Sequence, residues 1–341
     1  MQRVLPLLAV ILAAALVTGC GGSSSSGSGS GSGSSSGGGG AEAALQKQFV
    51  DTVDRVGPSV VQIRQSRGLG SGVVFDSNGD IVTNAHVVGS AKTVVVTFAD
   101  GSREPGKVTG SFPPDDLAVI HVDGKHGKPA QFADSSKLEV GDIVLALGNP
   151  LGLQSSVTNG IVSALGRTVG EPNGATIPNL IQTSAAINPG NSGGALVDLD
   201  GRVVGIPTLA AVDPELGGSA APGIGFAIPS NLVKDIAGQI VKNGRVTESH
   251  RAFLGVQVGT TMGGPGALVA AVVRGGPADK AGIAPGDFIV SIAGKQTQTA
   301  AEVASVLAGL KPGQQVKVGV VTRGGARKTV QVTLAQLPTH G

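Results

Sequence analysis

Three side chains in this sequence have the types and the order needed to break a carbonyl bond by nucleophilic attack. Ser192 lies in "INPGNSGGAL" (187–196), fenced by Gly190, Gly193 and Gly194 and preceded by Pro189. A serine hydroxyl is a weak nucleophile until a base takes its proton, and the base needs a third group to orient it. His86 follows "DIVTNA" and opens "HVV", and Asp116 opens "DLAVIHV". In such a set the imidazole accepts the serine proton and the carboxylate fixes the imidazole tautomer. The backbone N–H groups of Gly190 and Ser192 are then candidates to hold the oxyanion. Glycines at 190, 193 and 194 supply the backbone freedom for a tight turn and close approach, and Pro189 presets one dihedral. Without partners, "GNSGG" would read as an ordinary glycine-rich turn.

The elements that must carry these residues are short and rich in Val and Ile. Segments 59–65, 71–75, 80–85, 92–98, 116–122, 142–148, 202–207 and 223–229 read as strands, separated by turn residues such as Ser77-Asn78-Gly79 and Asp100-Gly101. Many short strands without long intervening helices imply an antiparallel barrel or sandwich. The chain order His, Asp, Ser is the one used by chymotrypsin-type barrels. A helix is expected over 42–56, with Leu45, Phe49, Val50, Val53 and Val56 at helical spacing and Gly57-Pro58 ending it. A second helix is expected after Ser230 as N-cap, with Leu232, Val233, Ile236 and Ile240 on one face and Gly244 past its end. His121 and His126 read as strand and loop residues, and no spacing of His, Cys and acids suggests a metal site or cofactor.

Bulk properties exclude some functions. The 341 residues, 40% of them hydrophobic, suffice for two domains with cores of their own. A net charge of +2, without a block of like charge, gives no reason to expect a nucleic-acid partner, and the absence of Trp and Tyr removes the usual base-stacking side chains. Residues 1–20, "MQRVLPLLAVILAAALVTGC", have the layout of a secretory signal. Their end resembles a bacterial lipobox, so Cys20, the sole cysteine, is the expected lipidation site. That implies an exported, cell-envelope lipoprotein held to a membrane by its anchor. Residues 21–40 contain only Gly and Ser and read as a flexible tether with a reach of roughly 25 Å.

Several blocks together, among them "SGVVFDSNGDIVTNAHVV", "DDLAVIHV", "LGNPLGL", "IQTSAAINPGNSGGALVDLDGRVVGI" and "GIGFAIPSNLV", resemble the HtrA/Deg family of serine proteases. The resemblance implies a mainly β fold: a chymotrypsin-like double β-barrel over 41–247, then a small α+β PDZ domain over 251–337. It assigns His86 as general base, Asp116 as orienting acid and Ser192 as nucleophile. It also implies a homotrimer built through N-terminal contacts, for which Leu45 to Val56 is the candidate segment. Ser184 and Ala195 stand where the family commonly has Asp and Pro. By analogy, Ile224, Phe226 and Ile228 line the pocket for the residue before the scissile bond and favour a small or medium aliphatic side chain. In the PDZ-like segment, Thr299-Ala300-Ala301-Glu302 forms a capping-box pattern. Phe253, Leu254, Gly255 and Val256 are the expected carboxylate loop for a C-terminal peptide added as a strand. The implied function is hydrolysis of unfolded or damaged envelope proteins, with a latent or non-proteolytic peptide-binding module as the alternative.

Overall fold

The computed structural model describes residues 38–66, 68–124, 127–149, 156–170, 176–188, 190–213, 219–259 and 263–339. Cys20, residues 21–37 of the Gly/Ser segment, His126 and Pro189 lie outside the described residues, whereas Gly38 to Gly40, expected as the end of the tether, are helical. The chain divides into Met1–Ala44 and Leu45–Gly341, and the described part of the first opens helix α1 (Gly38–Val56). Further along α1, Phe49, Val53 and Val56 join the core, while Leu45 and Val50 stay exposed. Thr52 donates to the Leu199 carbonyl at 2.8 Å and Arg55 to that of Asp200 at 2.6 Å.

The first barrel contains β1 (Val60–Gln65), β2 (Gly68–Val74), β3 (Asp80–Thr83), β4 (Thr93–Thr97), β5 (Arg103–Phe112) and β6 (Leu117–Val122). It closes in the order β1-β2-β3-β6-β5-β4, and the one-turn helix α2 (Ala85–Val88) follows β3. The second barrel contains β7 (Ile143–Gly148), β8 (Ser156–Gly170), β9 (Thr176–Thr183), β10 (Ala195–Val197), β11 (Val203–Asp213) and β12 (Ser219–Pro229). Its order is β10-β11-β12-β9-β8-β7, closed by β10 on β7. Closure satisfies the edges that open sheets would leave unpaired. Leu117 and Val119 of β6, Leu145 and Leu147 of β7, and Ile236 and Ile240 of helix α3 (Ser230–Asn243) share one buried cluster. That cluster fixes the seam between the barrels.

Four strands escape a reading based on hydrophobic runs. β5 contains Pro105, Gly106 and Gly110, β8 contains Gly160 and Gly166 and three register shifts with β9, β9 contains Pro178, and β10 has only three residues. Pairing with neighbours, not side-chain propensity, defines them. The start of α3 also differs from expectation. Pro229 is the N-cap, and Ser230, the first helical residue, donates its hydroxyl to the Ala133 carbonyl at 3.0 Å. Gly244 closes the helix at φ 71°, where glycine is free of Cβ strain.

The C-terminal region begins with β13 (Ala252–Phe253), β14 (Val256–Gly259) and β15 (Ala267–Val272), followed by helix α4 (Pro277–Lys280). Strands β16 (Phe288–Ile292) and β17 (Lys295–Gln296), helix α5 (Ala300–Ala308), and strands β18 (Gln315–Val321), β19 (Arg327–Thr333) and β20 (Ala335–Gln336) complete it. The main sheet runs β14-β15-β16-β18-β19, which leaves β14 at its edge, and β13 pairs with β20. Leu254, Ile289, Val303 and Val318 belong to its separate core.

Candidate active site

His86 stands on α2, directly after the buried strand β3, and Asp116 lies between the 3-10 turn Pro113–Asp115 and β6. Asp116 adopts a left-handed conformation at φ 50° that a β-carbon makes costly, so the fold around it must hold it there. Its carboxylate accepts three hydrogen bonds. The His86 amide donates to Oδ1 at 2.9 Å and His86 Nδ1 to Oδ2 at 2.8 Å. The Thr208 hydroxyl also donates to Oδ2. A carboxylate at Nδ1 places the proton there and leaves Nε2 as the basic nitrogen. The Asp116 side chain is 3% exposed and that of His86 46% exposed, so the acid is sealed while the base faces solvent. Asn84 adds a bond from Nδ2 to the Asp116 carbonyl at 2.9 Å.

Ser192 comes from the second barrel, in the turn before β10. Its hydroxyl donates to the Thr208 carbonyl at 3.2 Å. Thr208 thus touches both the serine, through its carbonyl, and the acid, through its hydroxyl. Gly190 has φ 107° and Gly193 φ 81°. A β-carbon on Gly193 would lie 2.2 Å from the Ser71 carbonyl oxygen, and one on Gly194 2.2 Å from that of Leu147. These two glycines are therefore required by the protein's own backbone packed against the turn. The Gly193 amide donates to the Pro207 carbonyl at 2.9 Å and the Asn191 amide to that of Asn188 at 3.0 Å.

A cavity of about 640 Å³ lies between β14 and α5, lined by Phe253 to Val256, Val258, Val303, Ala304 and Leu307. Its opposite wall comes from the first barrel and includes His86, Gly89, Ser111, Pro113 and Asp116. Gly255 has φ 81°, and the carbonyls of Leu254 and Gly255 accept from the Ala278 and Val273 amides. Among the described residues, no cluster of three or more His, Cys, Asp or Glu is placed to hold a metal ion.

Residues 70–206 match the model of the trypsin-like peptidase domain, and residues 252–334 match that of the PDZ domain. Across 85% of this chain and 99% of the other, the structure is similar to that of the HtrA-type protease AlgW with decapeptide, with 31% identity and a TM-score of 0.61. This chain belongs to the HtrA family of serine proteases. A probable periplasmic serine endoprotease DegP-like from Pseudomonas putida is 40% identical over 285 residues, 81% of this chain and 57% of that protein. The serine protease Do-like HtrB of Bacillus subtilis is 41% identical over 292 residues, 78% of this chain and 62% of its own length. The chain thus spans about three fifths of the curated relatives it matches.

Within this HtrA chain, Phe226 and Ile228 are buried in the seam cluster, whereas Ile224 is 37% exposed. Between them, Gly225 backs onto Ile187, whose side chain a β-carbon there would meet at 2.4 Å. Ser184, one of the departures from the family pattern, accepts from the Ile161 amide with its hydroxyl at 3.0 Å and ties β8 to β9. Thr208 and Arg251 lie outside the blocks that carry the family resemblance, and Ser71 opens one of them without any role being assigned to it. Thr208 directly follows the run "RVVGIP", and only the closed barrel shows that the position meets Asp116.

Proposed function

We propose that this HtrA chain is a serine endopeptidase acting on unfolded or damaged proteins outside the cytoplasm, with His86, Asp116 and Ser192 as its triad. The observation that carries the reading is Thr208, whose hydroxyl reaches the Asp116 carboxylate while its carbonyl accepts from the Ser192 hydroxyl. Ser192 Oγ rotates off that carbonyl and bonds to the scissile carbonyl carbon as its proton passes to His86 Nε2. The carbonyl π pair moves to oxygen, where the Gly190 and Ser192 N–H groups face it. Collapse of this intermediate breaks the C–N bond, and His86 returns the proton to the leaving amine. Water then repeats the sequence on the acyl-enzyme.

Ile224 would line the pocket for a small or medium aliphatic residue before the cut, with Phe226 and Ile228 packed behind it in the core. An extended C-terminal peptide would add to the free edge of β14, its carboxylate at Phe253–Val256 and its side chains against α5. The match to relatives named as periplasmic proteases supports export, and the Cys20 lipobox supports anchoring through a lipid. Exposed Leu45 and Val50 on α1 supply an apolar surface for a homotrimer.

The test uses the purified protein beside Ser192→Ala, with a fluorophosphonate probe and reduced casein as substrate. Labelling and cleavage that both disappear in the variant are expected. A folded wild-type protein that neither labels nor cleaves, with or without hydrophobic C-terminal peptides, would overturn the reading.

A further inference from the structure

We propose that Ser71 is a positioning residue for the oxyanion site, acting through the carbonyl of Gly190; this rests on the endopeptidase reading above. Ser71 lies on β2 of the first barrel, fully buried, yet its contacts run across the seam to the serine turn. Its hydroxyl donates to the Gly190 carbonyl at 2.5 Å and accepts from the Asn149 amide at 2.8 Å. Its own amide donates to the Ser192 carbonyl at 2.9 Å. Its own carbonyl accepts from the Thr83 hydroxyl at 2.6 Å, on the strand that leads to His86. One residue therefore holds the carbonyls of both amino acids whose N–H groups would face the oxyanion.

The Gly190 bond is the consequential one. Gly190, at φ 107°, is free to rotate in a way no other residue type is, so its conformation must be set by what its peptide groups touch. The Gly190 N–H and carbonyl lie in successive peptide planes joined through its φ and ψ, and the Ser71 bond anchors the second plane, so the N–H is set against a fixed carbonyl. The hydroxyl thus favours one orientation of the loop. Removing it leaves the Gly190 carbonyl and the Asn149 amide buried without this partner, which favours other loop orientations. Gly193 reinforces the geometry, since a side chain there would strike the Ser71 carbonyl and the Thr83 hydroxyl. The oxyanion turn is latched directly to β2.

The experiment compares wild type, Ser71→Ala and Ser71→Cys. Cysteine keeps nearly the same volume but is a weak donor. A peptidyl trifluoromethyl ketone carrying 13C at its carbonyl is the probe. Ser192 Oγ bonds to that carbon, the π pair becomes an oxyanion and the serine proton moves to His86. The 13C shift against pH reports how strongly the site holds the oxyanion. Losing an oxyanion donor outright costs about 100- to 1000-fold in kcat. Ser71 acts one bond removed, so a fall of about tenfold is expected for both variants, with KM nearly unchanged and the hemiketal titrating at higher pH. Thermal unfolding midpoints establish that the variants are folded. If Ser71→Cys behaves as wild type, or if the hemiketal titration does not move in Ser71→Ala, the inference is overturned while the endopeptidase reading stands. A folded wild type that forms no adduct overturns both.

Discussion

The guanidinium of Arg251 lies 3.3 Å from the carboxylate of Asp115, the residue immediately before Asp116. Arg251 also donates to the Pro114 carbonyl and, at 2.7 Å, to that of Thr176 at the start of β9. The residue that leads into β13 thereby grips the 3-10 turn that delivers Asp116 in its left-handed conformation. Both partners are largely buried. Burial pushes the Asp115 carboxyl up to about 6 against the opposing pull of Arg251, and it lowers the Arg251 guanidinium despite Asp115. Loss of hydration outweighs attraction at each end, so the pair fixes geometry more than it adds stability.

The pH dependence follows from that shift. Because Asp115 titrates higher in the folded protein than the ordinary 3.8, the folded state holds the proton more tightly. This contribution to stability is fully present below about 3.8 and is lost as pH rises through about 6. Wild type should therefore lose stability relative to Asp115→Asn between those values, by on the order of 3 kcal/mol, and the difference should level off above about pH 7. Urea unfolding of both proteins at steps from pH 4 to 8 measures it. A constant difference would show that Asp115 does not titrate in this window.

Breaking the pair from the other side should cost more than replacing it. Arg251→Met strands a buried carboxylate at pH 7.5, and a loss of about 3–5 kcal/mol is expected there. Adding Asp115→Leu should recover most of it. Near pH 5, where Asp115 is largely protonated, the single substitution should be milder. Unfolding free energies around this double-mutant cycle test the scheme, and a double variant no more stable than Arg251→Met would refute it.

How much of this was legible in the sequence depended on whether a residue acts through local pattern or through closure of the barrels. His86, Asp116 and Ser192 stand in distinctive local contexts, and helix α1, the capping box at Thr299 and the Gly244 stop follow from spacing and propensity. Ser71 and Thr208 are small polar residues in ordinary strand surroundings, and they acquire partners only when β2 and β11 are brought against the serine turn and Asp116. Strands β5, β8 and β9 were hidden for a related reason, since glycine, proline and polar residues weaken their pattern, and β10 because it has only three residues, while pairing on both sides still holds all four. The glycines after Ser192 stand out in the sequence, but a second reason for them shows only in the fold, where backbone from β2 and β7 occupies the space a side chain would need.

Thr208→Val isolates the bond between Thr208 and Asp116. The substitution preserves size and the backbone carbonyl that Ser192 touches, and it removes only the donor to the carboxylate. A hydrogen bond to a charged group contributes about 1.5–3 kcal/mol, so kcat should fall roughly tenfold to a hundredfold with KM little changed. Steady-state cleavage of a fluorogenic peptide separates the two constants. An unchanged kcat would mean that the two His86 bonds to Asp116 suffice to hold the acid.

Helix α5 offers a test of the peptide groove that leaves the triad untouched. Thr299 caps it by accepting from the Glu302 amide at 3.2 Å, and the Glu302 carboxylate accepts in return from Thr299 and Gln298. Those two backbone bonds hold the Glu302 carboxyl below its ordinary range. A carboxyl lowered on folding stabilises above its unfolded value near 4.5, and that contribution fades as pH falls below it. Thr299→Ala should cost about 1 kcal/mol of helix stability. Because Val303, Ala304 and Leu307 on this helix line the groove, a hydrophobic C-terminal peptide should bind several-fold more weakly by fluorescence anisotropy at pH 7. Fluorophosphonate labelling of Ser192 without peptide should stay at the wild-type rate. Equal loss of labelling and peptide affinity would mean that α5 supports the catalytic face as well as the groove, through the first-barrel residues that form the cavity's far wall.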